Sequence, residues 1–144
     1  MSQVDYFGIS QAIETQLTNS LTTANVSINI EPIDDPDGVV PWIGIYLEEA
    51  SWEDIRTGGT TPHEVTNTFV IECIQFDINE FKNACEKRDD FIKEVTEVLL
   101  LDRTFSGAVT VSHINKITFE NGSSPDDVGF FAIGEIFLEA RLKG

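Results

Sequence analysis

The feature that most constrains the fold is a long run of residues 80–101 in which apolar side chains recur at spacings of three and four. One face of this run consists of Phe81, Ala84, Cys85, Arg88, Phe91, Ile92, Val95, Val98 and Leu99. Such spacing is typical of an amphipathic α-helix, and Asp77 to Glu80 just before it are residue types that cap helix N-termini. A helix over residues 80–101 would be about 33 Å long. The sequence therefore predicts a helix that can lie across a whole small β-sheet.

The rest of the chain predicts one more helix and five strands. Apolar spacing predicts the first helix over residues 6–21, with Ser2 and Asp5 as a capping pair. Alternation of apolar and polar residues predicts strands over 26–31, 42–48, 64–78, 108–120 and 129–142. Between the second and third strands, residues 50–62 are rich in Gly, Thr and Pro, which predicts a long loop or hairpin tip.

These elements predict the fold class. With 144 residues and 41% apolar content, we expect a single domain over residues 1–144. The order α-β-β-β-α-β-β is dominated by hairpins, which favours an α+β fold: an antiparallel or mixed sheet of about five strands with both helices packed on one face. The other face also carries apolar residues, and a neighbouring subunit is the simplest cover for it.

The charge of the chain is strongly negative. Its formal net charge is −16, and residues 31–54 carry eight acids with no base. Arg56 is the first basic residue in the sequence, and Lys82 is the second. Such a surface repels nucleic acid and anionic membranes, so we expect no specific nucleic-acid binding and no membrane association. The alternative interpretation is an acidic surface that serves solubility. No secretory signal or membrane span is recognisable, so we expect synthesis in a cytosol.

The sequence offers little catalytic chemistry. Cys73 and Cys85 have neither zinc-site nor disulfide-framework spacing, so both are interpreted as reduced structural thiols. His63 and His113 are interpreted as structural, and no phosphate-binding or nucleophile motif is present. We therefore expect no catalytic residues, no cofactor and no metal site. The alternative from the enzyme class is a small acidic hydrolase, which would need a deep pocket holding one histidine and two acids.

The C-terminal segment resembles a known family. Residues 127–142, DVGFFAIGEIFLEARL, resemble the final strand of the tail terminator and tail-completion proteins of tailed bacteriophages. Those proteins are similarly short and acidic, open with a helix and end on a long strand. The element order and the long loop before the central strand extend the resemblance over the whole chain.

The resemblance implies a non-enzymatic structural protein of the virion. It implies a hexameric ring at the head-proximal end of the tail tube, which ends tube polymerisation and joins the tail to the head connector. The implied partners are further copies of the chain, the tail tube protein and a connector or neck protein, with assembly in the cytoplasm of the bacterial host. A head-completion or neck adaptor protein of a phage would show the same features.

Two groups of residues are candidates for roles in such a ring. We expect residues 49–62 to be mobile in a free subunit and ordered by an adjacent subunit or the tube, with Trp52 and Ile55 as apolar anchors next to Arg56. The alternative is that Trp52 folds back onto its own core. Asp34, Asp35 and Asp37 are predicted to line part of the channel through which DNA passes, the alternative being a solvated outer face.

Overall fold

Two helices and five strands follow one another in the predicted order α-β-β-β-α-β-β. The structure, a computed structural model, describes residues 4–31, 41–54, 63–121 and 129–143. The elements are α1 (Tyr6–Ser20), β1 (Ser27–Asn29), β2 (Trp42–Asp54), β3 (His63–Asp77), α2 (Phe81–Leu99), β4 (Val111–Asn121) and β5 (Phe130–Lys143). The predicted α+β class is therefore confirmed.

The strands form one mixed sheet in the order β1-β2-β3-β5-β4. β1 pairs with β2 in parallel, and the three remaining neighbouring pairs are antiparallel. β1 is only three residues long and pairs with residues 42–44. Beyond Gly44 the outer edge of β2 thus has no partner strand among the described residues, and β4 forms the opposite edge of the sheet.

The length of β2 differs from the prediction. The strand was expected to end at Glu48, but it continues to Asp54 and stays paired with β3 as far as His63. The pairing passes a bulge at Glu48, between Leu47 and Glu49. Because a long partner strand supplies backbone hydrogen bonds whatever the side chains are, polar residues can extend a strand that composition alone would end. The prediction of a loop or hairpin tip over residues 50–62 is therefore wrong for residues 50–54, and residues 55–62 lie outside the described residues.

Both helices start where an aspartate accepts backbone hydrogen bonds. Asp5 accepts one from the N–H of Gly8 at 2.9 Å, while Ser2 lies outside the described residues. Asp77 accepts from the N–H groups of Asn79 at 3.0 Å and Glu80 at 2.9 Å. The Asp5 bond satisfies an N–H group that has no partner within the helix. The two Asp77 bonds instead form a turn before α2, whose N-cap residue Glu80 makes no side-chain capping bond. The predicted capping residues therefore hold the turn that leads into α2 and not the first turn of the helix.

The connection after α2 shortens the helix and the next strand relative to the prediction. Asp102 accepts hydrogen bonds from the N–H groups of Thr104 and Ser106, at 3.0 and 2.8 Å. Phe105 adopts a φ of 49° and is almost fully buried. Burial of the ring offsets the cost of this unusual backbone conformation. Residues 100–110 therefore form a series of turns and do not continue α2 or begin β4.

The core lies between the sheet and the two helices. Its fully buried sheet residues include Ile43, Ile45, Phe69, Ile71, Cys73, Ile136, Leu138 and Ala140. α2 approaches the sheet closely at Gly134, where an added Cβ would collide with Cδ1 of Ile92. Cys73 belongs to this core, but Cys85 is only half-buried and lies outside it, because it sits at the margin of the apolar face of α2.

Candidate functional site

The helix-free face of the sheet is apolar in the half nearest the start of α2. Alternation along the strands and their register place these apolar side chains on it: Trp42, Tyr46, Val70, Ile74, Phe76, Phe131, Ile133 and Phe137. The rings of Phe76 and Phe131 lie 4.9 Å apart between centroids, and the ammonium of Lys116 lies 4.6 Å from the centroid of Phe137. These side chains are buried or half-buried. Trp42, Val70 and Ile74 are thus buried within the single chain, whereas the other five side chains keep part of their surface accessible, and a neighbouring subunit over them remains a prediction.

Two carboxylates occupy the middle of this apolar half. Glu72 on β3 lies directly opposite Glu135 on β5. Tyr46 donates a hydrogen bond from its hydroxyl to Glu135 at 3.3 Å, and Thr118 donates one to the other oxygen at 3.5 Å. Burial, followed by the negative charges of Glu135 and Glu72, raises the pKa of Tyr46 to about 12. Since like charges directly opposite each other are destabilising, the two hydroxyl donors offset part of that repulsion.

The other half of the helix-free face is charged. His113 pairs with Glu139 across β4 and β5, at 2.8 Å between Nε2 and Oε1, and the two side chains are 36% and 24% exposed. Arg141 lies 3.8 Å from Glu64 on the neighbouring strand. The His113 imidazole thus has the structural partner that the sequence interpretation expected, while the side chain of His63 lies outside the described residues.

A groove of about 530 Å³ runs between the end of β3, the middle of α2 and the segment after α1. Glu94 in its wall accepts hydrogen bonds from the hydroxyls of Thr22 and Thr23, at 2.5 and 2.8 Å. Burial opposes ionisation of Glu94, but these bonds and those from the backbone outweigh it and lower the pKa of the carboxyl. The described residues of the groove lining include Lys87 and Asp90 but no histidine.

Within the described ranges, no group of three or more His, Cys, Asp and Glu side chains is placed to hold a metal ion. None of the helices there is long and apolar enough to cross a membrane.

Two buried polar residues, Arg88 and Asn67, were not identified from the sequence as important for the structure. Arg88 is only 6% exposed, donates to the carbonyl of Glu120 at 3.1 Å and stacks over the ring of Phe119 at 5.0 Å. These contacts connect α2 to the end of the edge strand β4. Its position in the apolar series of the helix was a signal that it would be buried. Asn67, which is fully buried and donates to the carbonyl of Ala140 at 3.2 Å, gave no such signal.

Trp52 lies at the far end of β2, opposite Val65 on β3. Val65 is fully buried, whereas Trp52 is 52% exposed. The structure thus places Trp52 on a strand rather than in a loop, with half of the indole accessible. The other predicted site residues, Ile55, Arg56 and the three aspartates Asp34, Asp35 and Asp37, lie outside the described residues. The roles assigned to all of them remain predictions.

Comparison with known proteins found similarity among solved structures. No protein-family model matches the chain, and no curated protein matches it. Among solved structures, the chain is similar to a chain of the structure described as "Virion of native gene transfer agent (GTA) particle", with 14% sequence identity and a TM-score of 0.44. The match covers 99% of this chain and 100% of that one.

Proposed function

We propose that the chain is a ring-forming structural subunit of a tailed bacteriophage, the tail terminator at the head-proximal end of the tail tube. The observation that carries the proposal is the half-exposed indole of Trp52 at the end of β2, where the outer edge of that strand has no partner among the described residues. Unpaired strand edges and exposed aromatic side chains are both surfaces that bind other chains. The resemblance of residues 127–142 to the final strand of tail terminators supports a ring on the tail tube as the assembly.

In this role the protein acts by geometry and not by catalysis. Copies of the chain associate through a repeated head-to-tail contact, which gives a closed ring when the rotation between copies closes on itself. The six-membered ring sits on the last layer of the tube and occupies the position where another tube subunit would add. Its opposite side binds the head connector or neck protein. No cofactor takes part.

The exposed indole gives the proposal a direct test. We expect the purified chain to shorten the tubes that the tube protein of the same phage forms, and to leave a cap visible at one end of each tube by electron microscopy. Trp52→Ser should raise the concentration needed for capping about tenfold or more, since buried interface tryptophans are frequent hot spots.

The matched control is Phe7→Ser, which removes another exposed aromatic ring, 61% accessible, from α1. It should cap like the original chain, and circular dichroism should show that both variants are folded. Tubes that keep growing with bare ends in the presence of the original chain would overturn the proposed function. Equal capping by the Trp52→Ser variant would show that the end of β2 is not the contact.

We propose that part of the negative charge of the chain faces the channel of the ring. Asp34, Asp35 and Asp37 line part of the channel, where like charge keeps the DNA from adhering to the wall. Replacing all three with Asn should leave ring assembly intact and slow DNA ejection. The control replaces three exposed acids of α2, Glu86, Asp90 and Glu97, with their amides and should leave ejection unchanged. An unchanged rate of DNA ejection in the Asn variant would show that these aspartates do not line the channel.

A further inference from the structure

The two long edges of the sheet differ in charge. The outer edge of β2 carries Glu48, Glu49 and Glu53, all exposed, and residues 1–54 contain no Lys or Arg. The outer edge of β4 carries the exposed Lys116, the partly exposed His113 and, near its end, the exposed Glu120. Glu120 lies in the row of paired residues that reaches Trp42, where β1 already pairs with β2. The described outer edge of β2 beyond Gly44 is therefore acidic, and the part of β4 at the same height presents the Lys116 cation and the His113 imidazole.

The directions of the strands allow these edges to pair. β2 is antiparallel to β3, β3 to β5, and β5 to β4, so β4 runs opposite to β2. A second copy displaced sideways along the sheet, with its helices on the same side, would bring its β2 antiparallel to the β4 of the first copy. This contact joins two different surfaces, and a contact of that kind repeats into a ring.

The register brings the charges to the same height. The row of paired residues that starts at His113 crosses β5 and β3 and reaches Glu49. The row that starts at Lys116 reaches Tyr46, close to the bulge residue Glu48. In an unstaggered neighbour, Lys116 and the imidazole of His113 therefore face the two adjacent glutamates of β2.

The same residues make the contact selective. A lysine and a bulge on an edge strand prevent pairing with an arbitrary strand, and β4 has both, with a bulge between Ile114 and Lys116. A lysine on an edge can be accommodated when the incoming strand supplies negative charge at the same height. The outer edge of β2 supplies that charge, and a second copy of the chain is the occupant that carries it.

We propose that, within the ring, the acidic outer edge of β2 in one copy binds the β4 edge of the next, with Glu48 and Glu49 facing Lys116 and His113. This inference rests on the proposed function, because only a ring of identical subunits supplies the neighbouring edge at every position.

Charge exchange between the edges tests the inference. Lys116→Glu and Glu48→Lys each place like charges across the contact, so each should raise the concentration at which the chain assembles about tenfold or more. The double variant Glu48→Lys/Lys116→Glu keeps the net charge of the original chain and should restore assembly. Mixing the two single variants should also restore it, since each then offers the other a complementary edge. Sedimentation velocity at low ionic strength provides the measurement.

The control is Lys82→Glu, which makes the same charge change at an exposed position of α2 and should assemble like the original chain. If the original chain forms rings and the single variants form them equally well, or if the double variant and the mixture are no better than the singles, the edge contact is wrong while the proposed function stands. If the original chain never assembles, alone or on tubes, the proposed function fails and the inference fails with it.

Discussion

Asp77 shows how one side chain connects sequence, structure and pH dependence. Its carboxylate accepts hydrogen bonds from two backbone N–H groups in the turn before α2, and Lys87 donates to it at 3.1 Å. Hydrogen bonds from the backbone of Glu80 and from Lys87 lower the pKa of Asp77 to about 2. The turn could be predicted from the sequence because it depends on residues two and three positions away. The bond to Lys87 could not, since it depends on how α2 leaves the sheet.

The lowered pKa of Asp77 predicts a defined loss of stability in acid. A carboxyl with a lower pKa in the folded state stabilises the fold above its unfolded pKa of about 3.9, and that contribution is lost as the pH falls toward the folded value. Asp77→Asn should therefore have a lower urea midpoint than the original chain at pH 7, and the difference should shrink between about pH 4 and pH 2.

The matched control for that measurement is Asp90→Asn. This change removes an exposed carboxylate from α2 and leaves the hydrogen bonds of Asp77 intact. If the urea midpoint of Asp77→Asn lies below that of the original chain by the same amount at pH 7 and at pH 2, the role assigned to the Asp77 charge is wrong.

At the scale of elements, the sequence predicted what depends on periodicity and missed what depends on pairing. α2 and β5 repeat their apolar spacing over many residues, and both lie within a few residues of the predicted bounds. The alternation of β5 is confirmed, because Ala132, Gly134 and Ile136 are buried while their neighbours are half-buried. The end of β2 was missed, since its residues are polar and the strand is held by its pairing with β3.

The packing of α2 against β5 gives a prediction at this scale. Gly134→Ala adds a Cβ that collides with Cδ1 of Ile92, and overpacking of a core typically costs about 1–3 kcal/mol. Ile92→Val removes that Cδ1 and alone should cost about 0.5–1.5 kcal/mol. The double variant should be destabilised by less than the sum of the two, as measured by chemical denaturation.

The control pair combines Gly134→Ala with Val98→Ala, which is also on the buried face of α2 but does not meet the added Cβ. Those two costs should add. Strict additivity in the Gly134 and Ile92 pair as well would mean that the two side chains do not limit the approach of the helix.

At the scale of the whole molecule, the charge distribution was visible in the sequence but its arrangement was not. The absence of basic residues before Arg56 predicted an acidic surface. The sheet order, which puts β4 at one edge and most of β2 at the other, depends on long-range strand pairing that local patterns do not encode. The placement of Lys116 at the height of the acidic segment of β2 therefore emerges only from the fold.

The central claim is that copies of this chain close into a ring. The most direct measurement is the mass and shape of the purified protein over a range of concentrations, by sedimentation velocity together with negative-stain electron microscopy. The account predicts one assembly containing a fixed number of chains, expected to be six, seen as a ring with a central channel. A chain that stays monomeric at every concentration and also fails to form rings on tail tubes, or one that forms only closed two-fold dimers, would contradict it.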